Sequence, residues 1–163
     1  MANSSKASSS GGVKIAADNR QARFQYEILD TYEAGIALFG TEVKSIREGK
    51  VNLRDGFANV KRGEVWLHNV HISPHSMTIS AYNHEPRRVR KLLLHKQEIR
   101  KLIGQTEQKG LTLVPLKMYF KDGRVKVVIA LGRGKKLHDK RESLKKKQDT
   151  REIARVIKGQ GQD

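Results

Sequence analysis

The 163-residue sequence contains no cysteine. That excludes disulfide bridges, thiolate metal centres and a cysteine nucleophile. No apolar run approaches the roughly 20 residues a membrane-spanning helix needs. Residues 1–12 are rich in Ser, Gly and Ala and have no apolar central stretch, so they do not read as a secretory signal. No arginine precedes Arg20, which argues against a transit peptide. We read this start as a disordered leader on a soluble, cytoplasmic protein. Acidic residues are also few: 17 Asp and Glu stand against 33 Lys and Arg, for a formal net charge of +16 and a pI near 10.3. Such a surplus repels itself in the compact state and favours a polyanionic partner. Hydrophobic residues at 37% still suffice for one modest core, which excludes wholesale disorder.

Catalytic patterns are missing as well. His68, His71 and His75 form the tightest histidine group, but positions 68 and 71 point to opposite faces of a continuous strand. No Glu lies among them to complete a zinc-hydrolase motif. Gly132-Arg133-Gly134-Lys135-Lys136 lacks the four-residue spacing between glycines that a phosphate loop requires. No Ser/His/Asp order or paired-carboxylate motif stands out. The expectation is a protein with no enzymatic activity, no cofactor and no bound metal.

What is present is unevenly placed charge. Residues 1–18 carry two Lys and one Asp, residues 19–131 carry 20 basic and 11 acidic side chains, and residues 132–163 carry 11 basic and 5 acidic ones. All nine aromatic residues lie between Phe24 and Phe120. We therefore expect a disordered leader over 1–18, a folded middle over 19–131 and a basic tail over 132–163 that cannot build its own core.

The middle alternates in short runs. Residues 24–28 read as a half-buried strand, Ala34-Gly35 as a turn, and 36–39 as extended again. Residues 41–47 read as a short helix with Thr41 as cap and Gly49 beyond its end. Phe57–Lys61, Arg62-Gly63 and Glu64–His68 form a predicted hairpin. Residues 111–120, Asp122-Gly123 and 124–131 form a stronger one, because Asp-Gly supplies positive φ at both central turn positions. Between them His95 and Glu98 suggest a capping box. Ile99, Leu102 and Ile103 then share a helical face, and Gly110 fits the stop. Several strands with one longer helix predict a mainly β protein: an OB-like antiparallel barrel with a few short packed helices and a basic C-terminal tail. Pattern alone leaves an SH3-like barrel open.

Two basic clusters lie in this middle, Asn19-Arg20-Gln21-Ala22-Arg23 just before the first strand and Arg87-Arg88-Val89-Arg90-Lys91, the second running into Leu92-Leu93-Leu94. With no helix-turn-helix or finger pattern, they favour folded or single-stranded RNA over duplex DNA. In the tail, Ile153, Val156 and Ile157 share one helical face beside Arg151, Arg155 and Lys158. Self-repulsion predicts an extended tail in free solution, and a phosphate-lined channel would permit a helix.

The ordered motifs then carry a resemblance. Asn19-Arg20-Gln21-Ala22-Arg23, Tyr26-Glu27-Ile28, Glu33-Ala34-Gly35-Ile36, Gly40-Thr41-Glu42-Val43-Lys44-Ser45 and Arg90-Lys91-Leu92-Leu93-Leu94 come first. Lys109-Gly110-Leu111-Thr112-Leu113-Val114-Pro115-Leu116 and Gly134-Lys135-Lys136-Leu137-His138-Asp139-Lys140-Arg141 follow. Over about residues 14–158 the sequence resembles the SmpB (small protein B) family of bacterial trans-translation. The resemblance implies an OB-fold barrel that binds the tRNA-like domain of tmRNA near its D-loop and elbow. It implies entry into stalled ribosomes together with the charged tmRNA and elongation factor Tu, as a monomer on that RNA. It further implies that Asn19, Arg20, Arg23, Glu33, Lys44, Arg90, Lys91 and Leu93 form the RNA-binding face. Lys135, Lys136, His138, Asp139, Lys140 and Arg141 would belong to a tail that meets 16S rRNA in the decoding centre and the empty mRNA channel, becoming helical on the ribosome. Gln21 stands where a basic residue is frequent in the family and is assigned no role.

Overall fold

Arg62-Gly63 and Asp122-Gly123 both adopt positive φ, at 53° and 72° and at 51° and 74°. These are the paired left-handed turns that let two antiparallel strands keep their natural twist. Both predicted hairpins form around them. The computed structural model describes residues 12–108 and 110–159, so most of the expected leader lies outside the described residues. In chain order the elements are β1 (Lys14–Asp18), α1 (Arg20–Gln25), β2 (Tyr26–Ile36), α2 (Gly40–Arg47), β3 (Val51–Asn52), β4 (Phe57–Lys61) and β5 (Glu64–His68). They continue as β6 (His71–Ile72), a 3-10 turn at Ser80–Tyr82, β7 (Arg90–Leu93), α3 (Lys96–Thr106), β8 (Leu111–Lys121), β9 (Arg124–Gly134) and α4 (Leu137–Gly159).

The main sheet runs β1-β8-β4-β5-β7-β2-β9, and β8 also pairs with β9. Six strands therefore close into an antiparallel ring, the expected OB-like barrel, with β1 added outside it along the far half of β8. The short β3 and β6 pair separately. Residues 14–18, grouped with the leader in the sequence, form the strand β1 on Tyr119, Phe120 and their neighbours.

Bulges let single strands serve two cores. The β2–β9 register shifts between Ile28 and Asp30, and the β8–β9 register between Pro115 and Lys117. A one-residue bulge turns every following side chain to the other face. Tyr32, Ala34 and Met118 accordingly join Val65, Leu67, Leu92, Leu113, Val127 and Ile129 inside the barrel. Tyr26, Ile28, Val114 and Leu116 instead pack outside it with Ala22 of α1 and Ala130. Strand β9 is buried on both faces without a bulge, which its run Val125-Lys126-Val127-Val128-Ile129-Ala130-Leu131 reflects.

Three local expectations are corrected. Residues 24–25 close the helix α1 instead of opening a strand, because Asn19 caps that helix by accepting from the Ala22 N–H at 3.2 Å. Ala34-Gly35 is no turn: β2 runs straight through to Ile36. Helix α2 starts at Gly40, and Glu42 accepts from the Phe39 N–H at 2.8 Å. The expected cap Thr41 is occupied elsewhere, its hydroxyl 2.9 Å from Nδ1 of the buried His84. Helix α3 forms with Leu102 buried and Ile99 packed against the barrel core, but Ile103, expected on the same face, is exposed.

Candidate nucleic-acid interface

The residues singled out in the sequence fall into two places and an interior. At one end of the β2–β9 ribbon lies a groove of about 550 Å³ whose lining includes Glu33, Gly35, Leu93, His95, Arg124 and Lys126. Its geometry starts from Gly35, which pairs with Leu93 on one side and Lys126 on the other. A Cβ at position 35 would stand 3.3 Å from the Leu93 Cβ. The glycine lets the β7 backbone bring Leu93 over β2, and 52% of Leu93 stays exposed. Glu33 is the one acid here. It accepts hydrogen bonds from the Tyr119 hydroxyl and, at 3.4 Å, from Lys121 Nζ. The Tyr119 hydrogen bond, with Lys121 and Lys126 nearby, holds its carboxyl below the usual range despite some burial. Burial and Glu33 push Tyr119 up to about 12. A fixed carboxylate among cations, beside an exposed leucine, can accept from base or ribose donors while the cations meet phosphates.

About nine residue steps separate Gly35 from Tyr26 along β2, roughly 30 Å at strand rise. At that far end α1 meets α4. Arg20, Arg23, Lys147 and Arg151 surround a cleft of about 740 Å³ with Phe24 and Leu144. Asp18 partly balances it, 3.3 Å from Arg23 and 3.8 Å from Arg20. The structure therefore separates Arg20 and Arg23 from Glu33 and Leu93 and places them at the root of the tail. Lys135 makes the joint: its N–H donates to the Gln25 carbonyl at 2.9 Å, and its Nζ reaches Ser143 Oγ at 3.0 Å.

Beyond that joint α4 leaves the body. Lys136, His138, Asp139 and Arg141 are exposed and Lys140 half-exposed around its start. Ile153, Val156 and Ile157 are each 59–66% exposed, an apolar stripe with little to cover it, while Leu144 lies on the opposite side of the helix in the cleft with Phe24. His138 Nδ1 lies 3.9 Å from carboxylates of both Asp139 and Glu142. This is the only grouping among the described residues with metal-ligand spacing, and all three members are exposed. Asp139 lies in the first turn of α4, where the helix dipole favours an acid, and Glu142 stands one turn on from His138. The earlier histidine trio does not converge: His68 stacks on Phe57, and His75 faces Glu48 and Thr78.

Two residues assigned to the RNA face are corrected. Arg90 is fully buried: its guanidinium donates to Glu42 at 2.8 Å, to the Val70 carbonyl at 2.8 Å and to the Pro86 carbonyl at 3.1 Å. It locks β7 to α2 and offers RNA nothing. Asn19 is 4% exposed, and its amide donates to the carbonyls of Leu53 and Pro115 besides capping α1. Lys44 is exposed on α2, while Lys91 is half-exposed and pairs with Glu64 at 2.6 Å. Lys126, Arg124 and His95 also line the groove, though no motif in the sequence singles them out as site residues. Lys126 was within reach, as the lone cation in the apolar run of β9.

Known proteins resemble this chain in sequence and fold. The family model described as SmpB protein matches residues 16–159. A protein of Synechococcus elongatus called SsrA-binding protein is 70% identical over 149 residues, covering 91% of this chain and 97% of its own length. Its namesake from Synechocystis is 70% identical over 146 residues, covering 90% and 95%. A solved structure described as "tmRNA-SmpB: a journey to the center of the bacterial ribosome" aligns with a TM-score of 0.65 at 55% identity, covering 78% of this chain and 93% of that one.

Proposed function

Because the chain belongs to the SmpB protein family, we propose that it binds the tRNA-like domain of tmRNA and delivers it to stalled ribosomes for trans-translation. The observation that carries this reading to particular atoms is the groove where Gly35 seats an exposed Leu93 beside Glu33, Arg124 and Lys126. There the acid fixes a base or ribose edge, Leu93 packs on it, and Arg124 and Lys126 neutralise phosphates, joined from outside the groove by Lys44 of α2. Arg20, Arg23, Lys147 and Arg151 form the second basic region at the root of the tail. From it the tail, Lys135 and Lys136 at the joint and His138, Asp139, Lys140 and Arg141 in the first turns of α4, enters the decoding centre and the empty mRNA channel. His138 stacks there, and the cations bind 16S rRNA phosphates. A rod with cations distributed along it and an apolar stripe suits a phosphate-lined channel, because the wall neutralises the repulsion that opposes the helix. The chain acts as an adaptor without catalysis or cofactor, in the cytoplasm, one copy per tmRNA, and meets elongation factor Tu through the charged RNA.

The test is direct binding of a transcribed tRNA-like domain to the full chain. Glu33→Gln combined with Leu93→Ala should weaken binding by about tenfold or more, since loss of one hydrogen bond to a charged group alone costs about 1.5–3 kcal/mol. The melting curve should hold, because Leu93 is exposed and Glu33 lies at the surface. Unchanged affinity with an intact fold would remove the groove from the interface. Affinity should also fall with salt. If about four phosphates are neutralised, the log–log slope is on the order of −3. A flat series from low to moderate salt would refute the electrostatic part.

A further inference from the structure

The outer face of β4, β5 and β7 carries a three-by-three grid of which the function above uses only the corner residue Leu93. The registers put Phe57 beside His68, Asn59 beside Trp66, and Lys61 beside Glu64. On the other side of β5, Lys91 stands beside Trp66. Phe57 and His68 are stacked, with ring centroids 5.0 Å apart and planes 6° from parallel. His68 Nε2 lies 2.9 Å from Asn59 Oδ1. With that oxygen accepting, the Asn59 amide keeps two N–H donors for another acceptor. Trp66, the only tryptophan in the sequence, is half-buried in a groove of about 420 Å³ that Asn59, Lys61, Arg62, His68 and Val89 also line. Glu64 is the one acid there, and Lys91 already neutralises it at 2.6 Å. The local balance is therefore positive, from Lys61 and Arg62.

We propose that this face is a second RNA-contact site, in which an unpaired nucleotide stacks on Trp66 while Asn59 donates to its base and Lys61 and Arg62 bind the adjoining phosphates. The ligand class follows from the chemistry. An indole on a polar face gives a flat surface that every base can stack upon, and flanking cations track a sugar-phosphate chain. An acidic peptide would use the cations but gain little from a stacked ring pair and an amide donor. The third row of the grid also leads toward Leu93, because Glu64 and Leu93 flank the Val65–Leu92 pair. A strand of RNA held in the Leu93 groove can thus continue onto this face. The site goes beyond the tRNA-like-domain reading and is tested without it.

The sole tryptophan makes the test specific. The full-length chain is titrated with a single-stranded adenosine hexanucleotide, following tryptophan fluorescence and, with labelled RNA, anisotropy. Stacking predicts saturable quenching with the same midpoint as anisotropy. Trp66→Ala should weaken binding by about tenfold and Trp66→Phe by far less, since one base–ring stack is worth that factor. Arg62→Ala should flatten the salt dependence. Glu33→Gln with Leu93→Ala reports the groove separately, so loss of tRNA-like-domain binding and loss of hexanucleotide binding are independent outcomes. Binding without quenching, an unchanged dissociation constant for a folded Trp66→Ala, or quenching by polyglutamate but not by RNA would each overturn the proposal.

Discussion

A chain ended after Lys136 is expected to keep its barrel and its tmRNA and to lose peptide tagging down to background. The cut falls just before α4 begins at Leu137. It spares β9, which stays paired as far as Gly134 opposite Tyr26, and it spares the Lys135 N–H on the Gln25 carbonyl. Deleting from Gly134 onward would remove the last β9 pair and the Lys135 bond, which is the practical reason to place the cut later. Almost nothing of the core leaves with the tail, since its apolar side chains are mostly exposed. The melting temperature should therefore move by no more than a few degrees, the shift that about 1 kcal/mol produces in a domain of this size. Affinity for the tRNA-like domain should drop by less than about tenfold, the loss of a phosphate contact or two at low salt. Recruitment and transfer of the stalled peptide should fail, because nothing remains to fill the decoding centre. A milder version replaces His138, Asp139, Lys140 and Arg141 by Ala and keeps the length. Binding, ribosome recruitment and peptide transfer are measured separately. Normal transfer by the truncated chain would defeat the proposal, and so would loss of RNA binding with the tail.

The second large effect is on stability. Arg90→Ala should cost about 3–5 kcal/mol, the usual penalty for breaking a buried ion pair and leaving its partner charged. The lower end is expected, because Arg88 still holds Glu42 at 2.8 Å while lying over the Phe39 ring. Even so, the loss is a large part of the 5–15 kcal/mol that typical domains possess. Urea unfolding should show the shift, and the fraction still folded should bind RNA normally. A variant with an unchanged unfolding midpoint and weakened RNA binding would return Arg90 to the interface. Glu42 adds a pH signature. Burial pushes its carboxyl up, but Arg88, the Phe39 N–H and Arg90 together push it further down, so its folded pKa lies below the ordinary 4.5. A depressed acid contributes its stability fully above pH 4.5 and loses it as pH falls through the folded value. The stability difference between the native chain and Glu42→Gln should therefore be constant at neutral pH and shrink on the acid side of 4.5.

These corrections mark how far the sequence could be read. Both long hairpins were legible because Arg-Gly and Asp-Gly are local turn chemistry, sufficient without knowledge of the rest. The barrel class followed from strand count and the resemblance. Helix α1 was not legible, because its cap Asn19 is anchored by carbonyls 34 and 96 residues away. Arg90 was misplaced for the same kind of reason. A cation in a basic run reads as surface unless its partner is visible, and Glu42 lies 48 residues earlier. Glu33 and Leu93 were named through the resemblance, but their meeting depends on Gly35, whose role looked like a turn and is a close approach. Thr41 shows a related limit: a suitable cap residue gave its hydroxyl to a buried histidine 43 positions away.

The paired strands β2 and β9 also act as a gauge. One end carries the groove and the other carries the root of α4, with a continuous hydrogen-bonded ribbon between them. The offset between what is gripped and where the rod emerges is thus a fixed number of backbone repeats, carried by rigid sheet and not by a hinge. Its length is also quantised. Adding one residue to a strand would turn every later side chain to the wrong face, as the bulge at Leu29 already does once to serve two cores. Only paired additions leave both ends intact, and each changes the reach by about 7 Å. A body built in this way has no small adjustments available to it, so its dimensions change in whole steps or not at all.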